Sequence, residues 1–119
     1  RDNLRSSLLA TGFPYDKAED RENNNLSIFT HIVPDIMGIR RSGSAAYDMC
    51  CVACGRLDGY WELKVKLWDI AAGELIVREA GGRVQYSVKE KGINIITGNS
   101  TMISLLQDKI DQCYKGFLE

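Results

Sequence analysis

A carboxylate beside the first apolar residues of a helix can do two different jobs, and Asp69 is the sharpest case in this sequence. It stands just before Ile70, Ala71 and Ala72, so it reads as an N-cap whose oxygens take up the free N–H groups of a helix start. An oxygen left over can ligate a hard cation such as Mg²⁺, which favours oxygen donors and is usually shared with a substrate phosphate. One carboxylate makes an incomplete Mg²⁺ site, and no Asp-x-Asp or Glu-x-Glu pair exists in the sequence to complete it. Glu62 lies seven residues earlier, at the end of a strand candidate, where functional groups of α/β folds gather. It suits hydrogen bonding to sugar-like hydroxyls, and equally a surface pairing with Lys64 or Lys66.

A second helix entrance is marked by Gly43, Ser44, Ala45 and Ala46. Small residues there leave backbone N–H groups open to a polar ligand, and they also allow close helix packing. Arg40 and Arg41 fit a phosphate or a solvated surface. Of the four cysteines, Cys50, Cys51 and Cys54 crowd into an apolar, helix-like run with only His31 available to assist as a ligand, which argues against zinc. The Cys-x-x-Cys within that run is not at a helix start, where a thiolate would be stabilised, so these cysteines read as small core residues.

These groups need a scaffold, and 119 residues with 45% apolar content suffice for one domain, residues 1–119, with a modest core. Net charge is -1, without the basic surplus that phosphate-backbone binding demands, so direct nucleic-acid binding is not expected. No apolar run approaches the ~20 residues of a membrane span, and a cytoplasmic location is expected. The sequence begins at Arg1 rather than methionine, a hint that it is a piece of something longer.

Along the chain, Leu8–Pro14 is a short apolar run stopped by Gly12 and Pro14, which reads as a strand leading into a loop. Leu26, Ile28, Phe29, Ile32 and Val33 recur at helical spacing, which predicts a helix from about Asp16 to Pro34, with Asn23-Asn24-Asn25 as a point where a loop can divide it. Asp35–Arg41 is a weak strand. Ser44 caps a helix running to Gly55 that is apolar nearly all round and expected to be buried. Strands at Tyr60–Leu63, Val84–Val88 and Ile93–Ile96 alternate with a helix from Asp69 to Gly81-Gly82 and an amphipathic one opened by Ser100 or Thr101. Strands alternating with helices predict an α/β layered domain.

Ile39-Arg40-Arg41-Ser42-Gly43-Ser44-Ala45-Ala46, Val52-Ala53-Cys54-Gly55-Arg56-Leu57-Asp58-Gly59-Tyr60-Trp61-Glu62, Trp68-Asp69-Ile70-Ala71-Ala72-Gly73 and Glu79-Ala80-Gly81-Gly82 together resemble the C-terminal signature of inositol monophosphatases. Thr11-Gly12-Phe13-Pro14 is similar to a segment of the bacterial-type members. The resemblance covers most of the chain and implies the C-terminal α/β/α layered half of the sugar-phosphatase fold, with a mixed sheet of about five strands. By position alone Trp68 would shield one side of Asp69; the resemblance implies that Asp69 is a metal ligand and that Glu62, Gly43, Ser44 and Ala45 contact the hydroxyl-bearing part of the substrate. It further implies Mg²⁺-dependent hydrolysis of inositol 1-phosphate or a related phosphomonoester by a metal-activated water.

The family's remaining ligands belong to a Glu-Glu motif and an Asp-Pro-Ile/Leu-Asp-Gly-Thr motif of an N-terminal half, and neither is in this sequence. The chain alone is therefore expected to be inactive and to need that half as a partner, in a protein expected to form a homodimer. Leu63–Leu67 departs from the glycine-leucine-lysine-proline run of many bacterial members but keeps the distance from Glu62 to Asp69. Glu62 favours the inositol-phosphatase branch over the nucleotide bisphosphatase branch. The alternative reading is a non-catalytic interaction module, since some relatives serve transcription or ribosome maturation.

Overall fold

In the computed structural model, which describes residues 3–119, alternating side chains send one stripe of each strand to either face of a single sheet. The strands are β1 (Leu8–Thr11), β2 (Gly38–Arg40), β3 (Gly59–Val65), β4 (Arg83–Lys89) and β5 (Gly92–Gly98), in the order β2-β1-β3-β5-β4. β1 runs parallel to both β2 and β3, whereas β5 is antiparallel to β3 and β4, so the sheet is mixed.

Helices α1 (Leu26–Ile32) and α4 (Ser100–Cys113) cover one face, where Leu9, Trp61, Leu63 and Ile96 meet Ile28, Ile32, Met102 and Leu106. Helices α2 (Ala45–Ala53) and α3 (Leu67–Glu79) cover the other, where Ala10, Tyr60, Val65 and Ile95 meet Met49, Ile70 and Val77. The result is the expected α/β/α sandwich with five strands.

Trp61 and Leu63 face α1 and α4 while Tyr60 and Val65 face α2 and α3, a change of phase within one strand. The cause is a bulge. Glu62 pairs with Ile95 but Val65 pairs with Ile93, three residues against two, and Lys64 takes up the extra length at φ 62. The Lys64 side chain then reaches out to Asp16 and Asp20 at 2.9 and 2.8 Å.

Several expectations are corrected. The helix predicted from Asp16 to Pro34 is confined to Leu26–Ile32, followed by a 3-10 turn, Val33–Asp35, and the strand predicted over Asp35–Arg41 is confined to Gly38–Arg40. The asparagines are the reason, because their side chains bond to backbone in place of helical partners. Asn24 Nδ2 donates to the Lys17 carbonyl at 2.8 Å, Asn24 Oδ1 accepts from the Leu26 N–H at 3.0 Å, and Asn25 is left-handed at φ 77. Helix α2 is not buried all round: Ala46, Tyr47 and Cys54 are exposed, with Asp48, Met49 and Cys51 inward. Helix α4 does open at Ser100, one of the two predicted starts, and its cap is Asn99, whose side chain accepts from the Met102 N–H.

Candidate active site

The three parallel strands β2, β1 and β3 end on the same side, and the segments leaving their carboxyl ends enclose a cleft of about 440 Å³. This is where α/β sheets bind ligands, because helix starts and loop backbone converge there. Its walls come from Thr11–Tyr15 after β1, from Arg41 to Asp48 after β2, and from Glu62 to Asp69 at the end of β3 and the start of α3. Glu62, Asp69, Gly43, Ser44 and Ala45 all line it.

Asp69 does not cap α3 as expected. The helix begins two residues earlier, at Leu67, with Lys66 as N-cap and Asp69 as the third helical residue. Its Oδ2 reaches back to accept the Lys66 N–H at 3.1 Å while its own N–H donates to the Lys66 carbonyl at 2.9 Å. That bond satisfies a free donor of the first turn and holds the carboxylate at the positive end of α3, facing the cleft. Trp68 lines the rim beside it but is 79% exposed, so its shielding of Asp69 falls short of what was expected.

Glu62 is set deeper. Tyr60, two residues back on the same side of β3, donates its hydroxyl to Oε1 at 2.6 Å. Burial pushes the Glu62 carboxyl above its ordinary range, with Asp48 and Asp69 adding to the rise, while the Tyr60 bond and Arg41 counter it. Burial also pushes the Tyr60 phenol well above its ordinary value, so the phenol stays a donor. Room for the carboxylate comes from Gly12: a β-carbon there would lie 2.7 Å from Glu62 Oε2. The surface pairing of Glu62 with Lys64 or Lys66 is not formed, since Lys64 turns to Asp16 and Asp20, and Lys66 Nζ bonds the Lys91 carbonyl.

Gly43 adopts φ 86, a conformation that side chains disfavour, and turns the chain from β2 into α2. Ser44 caps α2, its hydroxyl accepting the Tyr47 N–H at 3.2 Å. The turn is exposed on the cleft side, where its backbone can meet a polar ligand. Arg41 stacks over the Phe13 ring at 5.1 Å and lines the cleft, whereas Arg40 bonds its neighbour's carbonyl and lines a separate hollow.

Sequence reasoning missed three contributors. Asp48 is 2% exposed and lines the cleft beneath the turn; as the one charged residue in the stretch 45–54 it was visible as an anomaly. Tyr60 was read only as a strand residue. Asn25 was read as a helix breaker, but it anchors the strand behind the cleft through bonds to Thr11 and Gly12.

A sequence profile of the inositol monophosphatase family matches residues 1–108. The chain belongs to that family. It is 55% identical over 83 residues to an inositol-1-monophosphatase of Synechocystis, covering 68% of this chain and 28% of that relative. It is 42% identical over 112 residues to a protein of Pseudomonas aeruginosa named Nus factor SuhB, covering 89% of this chain and 41% of the relative.

Among solved structures, the inositol monophosphatase of Anabaena superposes with a TM-score of 0.87 at 41% identity, over 95% of this chain and 46% of that one. Mycobacterium tuberculosis SuhB does so with 0.84 at 39%, over all of this chain and 46% of the other. The chain thus spans less than half the length of these relatives. As an inositol monophosphatase family member, it carries a phosphatase-type fold whose cleft gathers one carboxylate at a helix start, a second in a buried pocket, and an open turn.

Proposed function

We propose that this chain is the substrate- and metal-contributing C-terminal half of a Mg²⁺-dependent phosphomonoesterase that hydrolyses inositol 1-phosphate or a related sugar phosphate. The observation that carries it is the meeting of Asp69, Glu62 and the Gly43–Ala45 turn, from three separate segments, around one cleft. Asp69 fits a hard cation: it is a carboxylate at a helix start with one oxygen tied down and its side facing the cleft. Among the described residues no three potential ligands cluster, so this chain supplies only part of a coordination shell. Mg²⁺, when bound, neutralises the phosphate and activates the attacking water.

Glu62, held by Tyr60, takes hydrogen bonds from the hydroxyls of the leaving alcohol. The Gly43–Ala45 backbone borders the same hydroxyl-bearing part. The remaining carboxylates and the groups that activate water come from an N-terminal half, so the chain alone is inactive. Helix α3 also carries exposed apolar side chains, Leu67, Leu75 and Ile76 at 62, 61 and 44%, that are available for contact with that half. The assembled protein is a cytoplasmic homodimer; among the described residues no helix is long and apolar enough to cross a membrane.

A phosphate-release assay on inositol 1-phosphate with Mg²⁺ tests this, using the chain alone and then mixed with its N-terminal half. Silence alone and turnover on mixing support a divided site. Turnover by the chain alone would sink it. The relatives named Nus factor SuhB support a second reading as an interaction module. Silence in both assays, with a partner other than the N-terminal half retrieved, would favour that one.

A further inference from the structure

Among the described residues, Lys64 and Asn25 are the two outside glycine whose backbone is left-handed, and Lys64 is held so from both sides. Its N–H donates to the buried Asn94 Oδ1 at 3.3 Å, and Gly92 at the start of β5 comes so close that a β-carbon there would lie 2.7 Å from the Lys64 backbone. Glycine adopts φ 62 without strain and lysine does not, so the lysine is the less stable choice here unless its side chain has a task. The side chain is only 9% exposed, and all three N–H groups of its ammonium are used, on Asp16 Oδ1 and Oδ2 at 3.0 and 2.9 Å and on Asp20 Oδ2 at 2.8 Å. Lys91 also faces this pair of carboxylates, but from 3.9 and 3.6 Å and largely in solvent, where an ion pair contributes little. Charges withdrawn from water add little net stability, because desolvation offsets their attraction, whereas their bonds fix a geometry.

That geometry joins two walls of the cleft. Asp16 and Asp20 belong to the segment that leaves β1 and carries Gly12, Phe13, Pro14 and Tyr15 along one wall, while Lys64 lies between Glu62 and Asp69 on another. The near end of the segment is anchored in the core, where Asn25 Nδ2 donates to the Gly12 carbonyl at 2.7 Å. Beyond Pro14 its bonds turn back on itself: the Lys17 N–H donates to the Pro14 carbonyl at 3.2 Å, and the Glu19 and Asp20 N–H groups to the Asp16 carbonyl at 3.0 and 2.8 Å. We infer that Lys64 is a positioning residue: its strained backbone and buried ammonium hold the 12–20 segment against the strand that carries Glu62, and so set the width of the cleft. The consequence for catalysis rests on the phosphatase reading; the tether itself does not.

The test uses Lys64→Gly, which relieves the backbone and removes the tether in one change, in this chain assembled with its N-terminal half. Amide hydrogen exchange at Lys17, Glu19 and Asp20 should speed about tenfold while α4 amides are unchanged. In steady-state kinetics on inositol 1-phosphate, KM should rise about fivefold with kcat little changed. The double variant D16A/D20A removes the acceptors and leaves the bulge alone, so it reports even if Lys64→Gly fails to fold. It should give the same two changes, and adding Lys64→Gly to it should give no more. Unchanged exchange at the three amides in these variants, or effects that add when they are combined, overturns the inference. A wild-type protein without Mg²⁺-dependent turnover sinks the phosphatase reading instead, and the exchange arm still decides the role of Lys64.

Discussion

The indole N–H of Trp61 donates to Asn25 Oδ1 at 2.7 Å, joining the centre of the sheet to the residue that opens α1. Asn25 Nδ2 passes the connection on to Thr11 Oγ1 and the Gly12 carbonyl at 2.9 and 2.7 Å, and the Thr11 hydroxyl closes it on the Trp61 carbonyl at 2.7 Å. All three residues are buried, so the network replaces water for every polar group it contains. It also fixes Gly12, and with it the floor of the Glu62 pocket.

Replacing Asn25 with alanine should therefore cost about 2–4 kcal/mol, since it strands the indole N–H and the Thr11 and Gly12 acceptors in the core. Urea denaturation reads this as a lower midpoint. Asn25→Gly separates the two parts of the loss: it relieves the backbone at φ 77 but leaves the same groups unpaired. An alanine variant as stable as wild type, which has neither the network nor any backbone relief, would show that the side-chain network contributes nothing.

Gly12→Ala tests the close approach to Glu62. The added methyl displaces the carboxylate from beside Tyr60, so in the assembled protein KM should rise about tenfold with a smaller change in kcat. An unaltered KM would mean that Glu62 does not contact substrate from its observed position.

Glu62→Gln should stabilise the protein while weakening substrate binding. Burial lifts the Glu62 carboxyl above its ordinary 4.5, so the folded state keeps the proton longer than the unfolded chain does. Stability then falls as the pH rises from that ordinary value through the raised one, and stays lower at neutral pH. The glutamine variant lacks this fall and should melt about 2–5 °C higher at pH 7, with the difference vanishing in acid. Thermal scans across pH check it.

Lys64 predicts the opposite slope. The hydrogen bond from Lys64, helped by Asn23, holds the Asp20 carboxyl at about 2 against its ordinary 3.8. Its stabilising contribution is complete above the ordinary value and lost as the pH falls toward 2. Lys64→Met should remove most of that acid-dependent loss. If the acid limb of the stability curve is the same in both proteins, the pairing of Lys64 with Asp20 is not thermodynamically significant.

Much of the architecture was legible because strands and helices here alternate with clear turn signals, and the family's C-terminal signature runs through them. The same signature picked out Glu62, Asp69 and the Gly43 turn, and these residues line one cleft. What could not be read was any property created by distant contact. Asn25 looks like a helix breaker until Thr11, Gly12 and Trp61 are brought around it, and Asp69 looks like a cap because local sequence does not say that α3 starts two residues earlier at Leu67. Asp48 was different: a lone charge within an apolar helix was visible, but its burial in the wall of the cleft was not.

The bulge at Lys64 makes the stretch between Glu62 and Asp69 a ruler. Its extra residue re-phases β3 so that Val65 enters the core and α3 starts where Asp69 meets the cleft. Within Leu63–Leu67 the exposed Lys66 and Leu67 are the positions where a substitution leaves the core intact, since Leu63 and Val65 are buried and Lys64 is paired with Asp16 and Asp20. A deletion that removed the bulged residue would leave Val65 on the face of Tyr60 but shorten the link to α3 by one residue, so Asp69 would be drawn out of its place at the cleft.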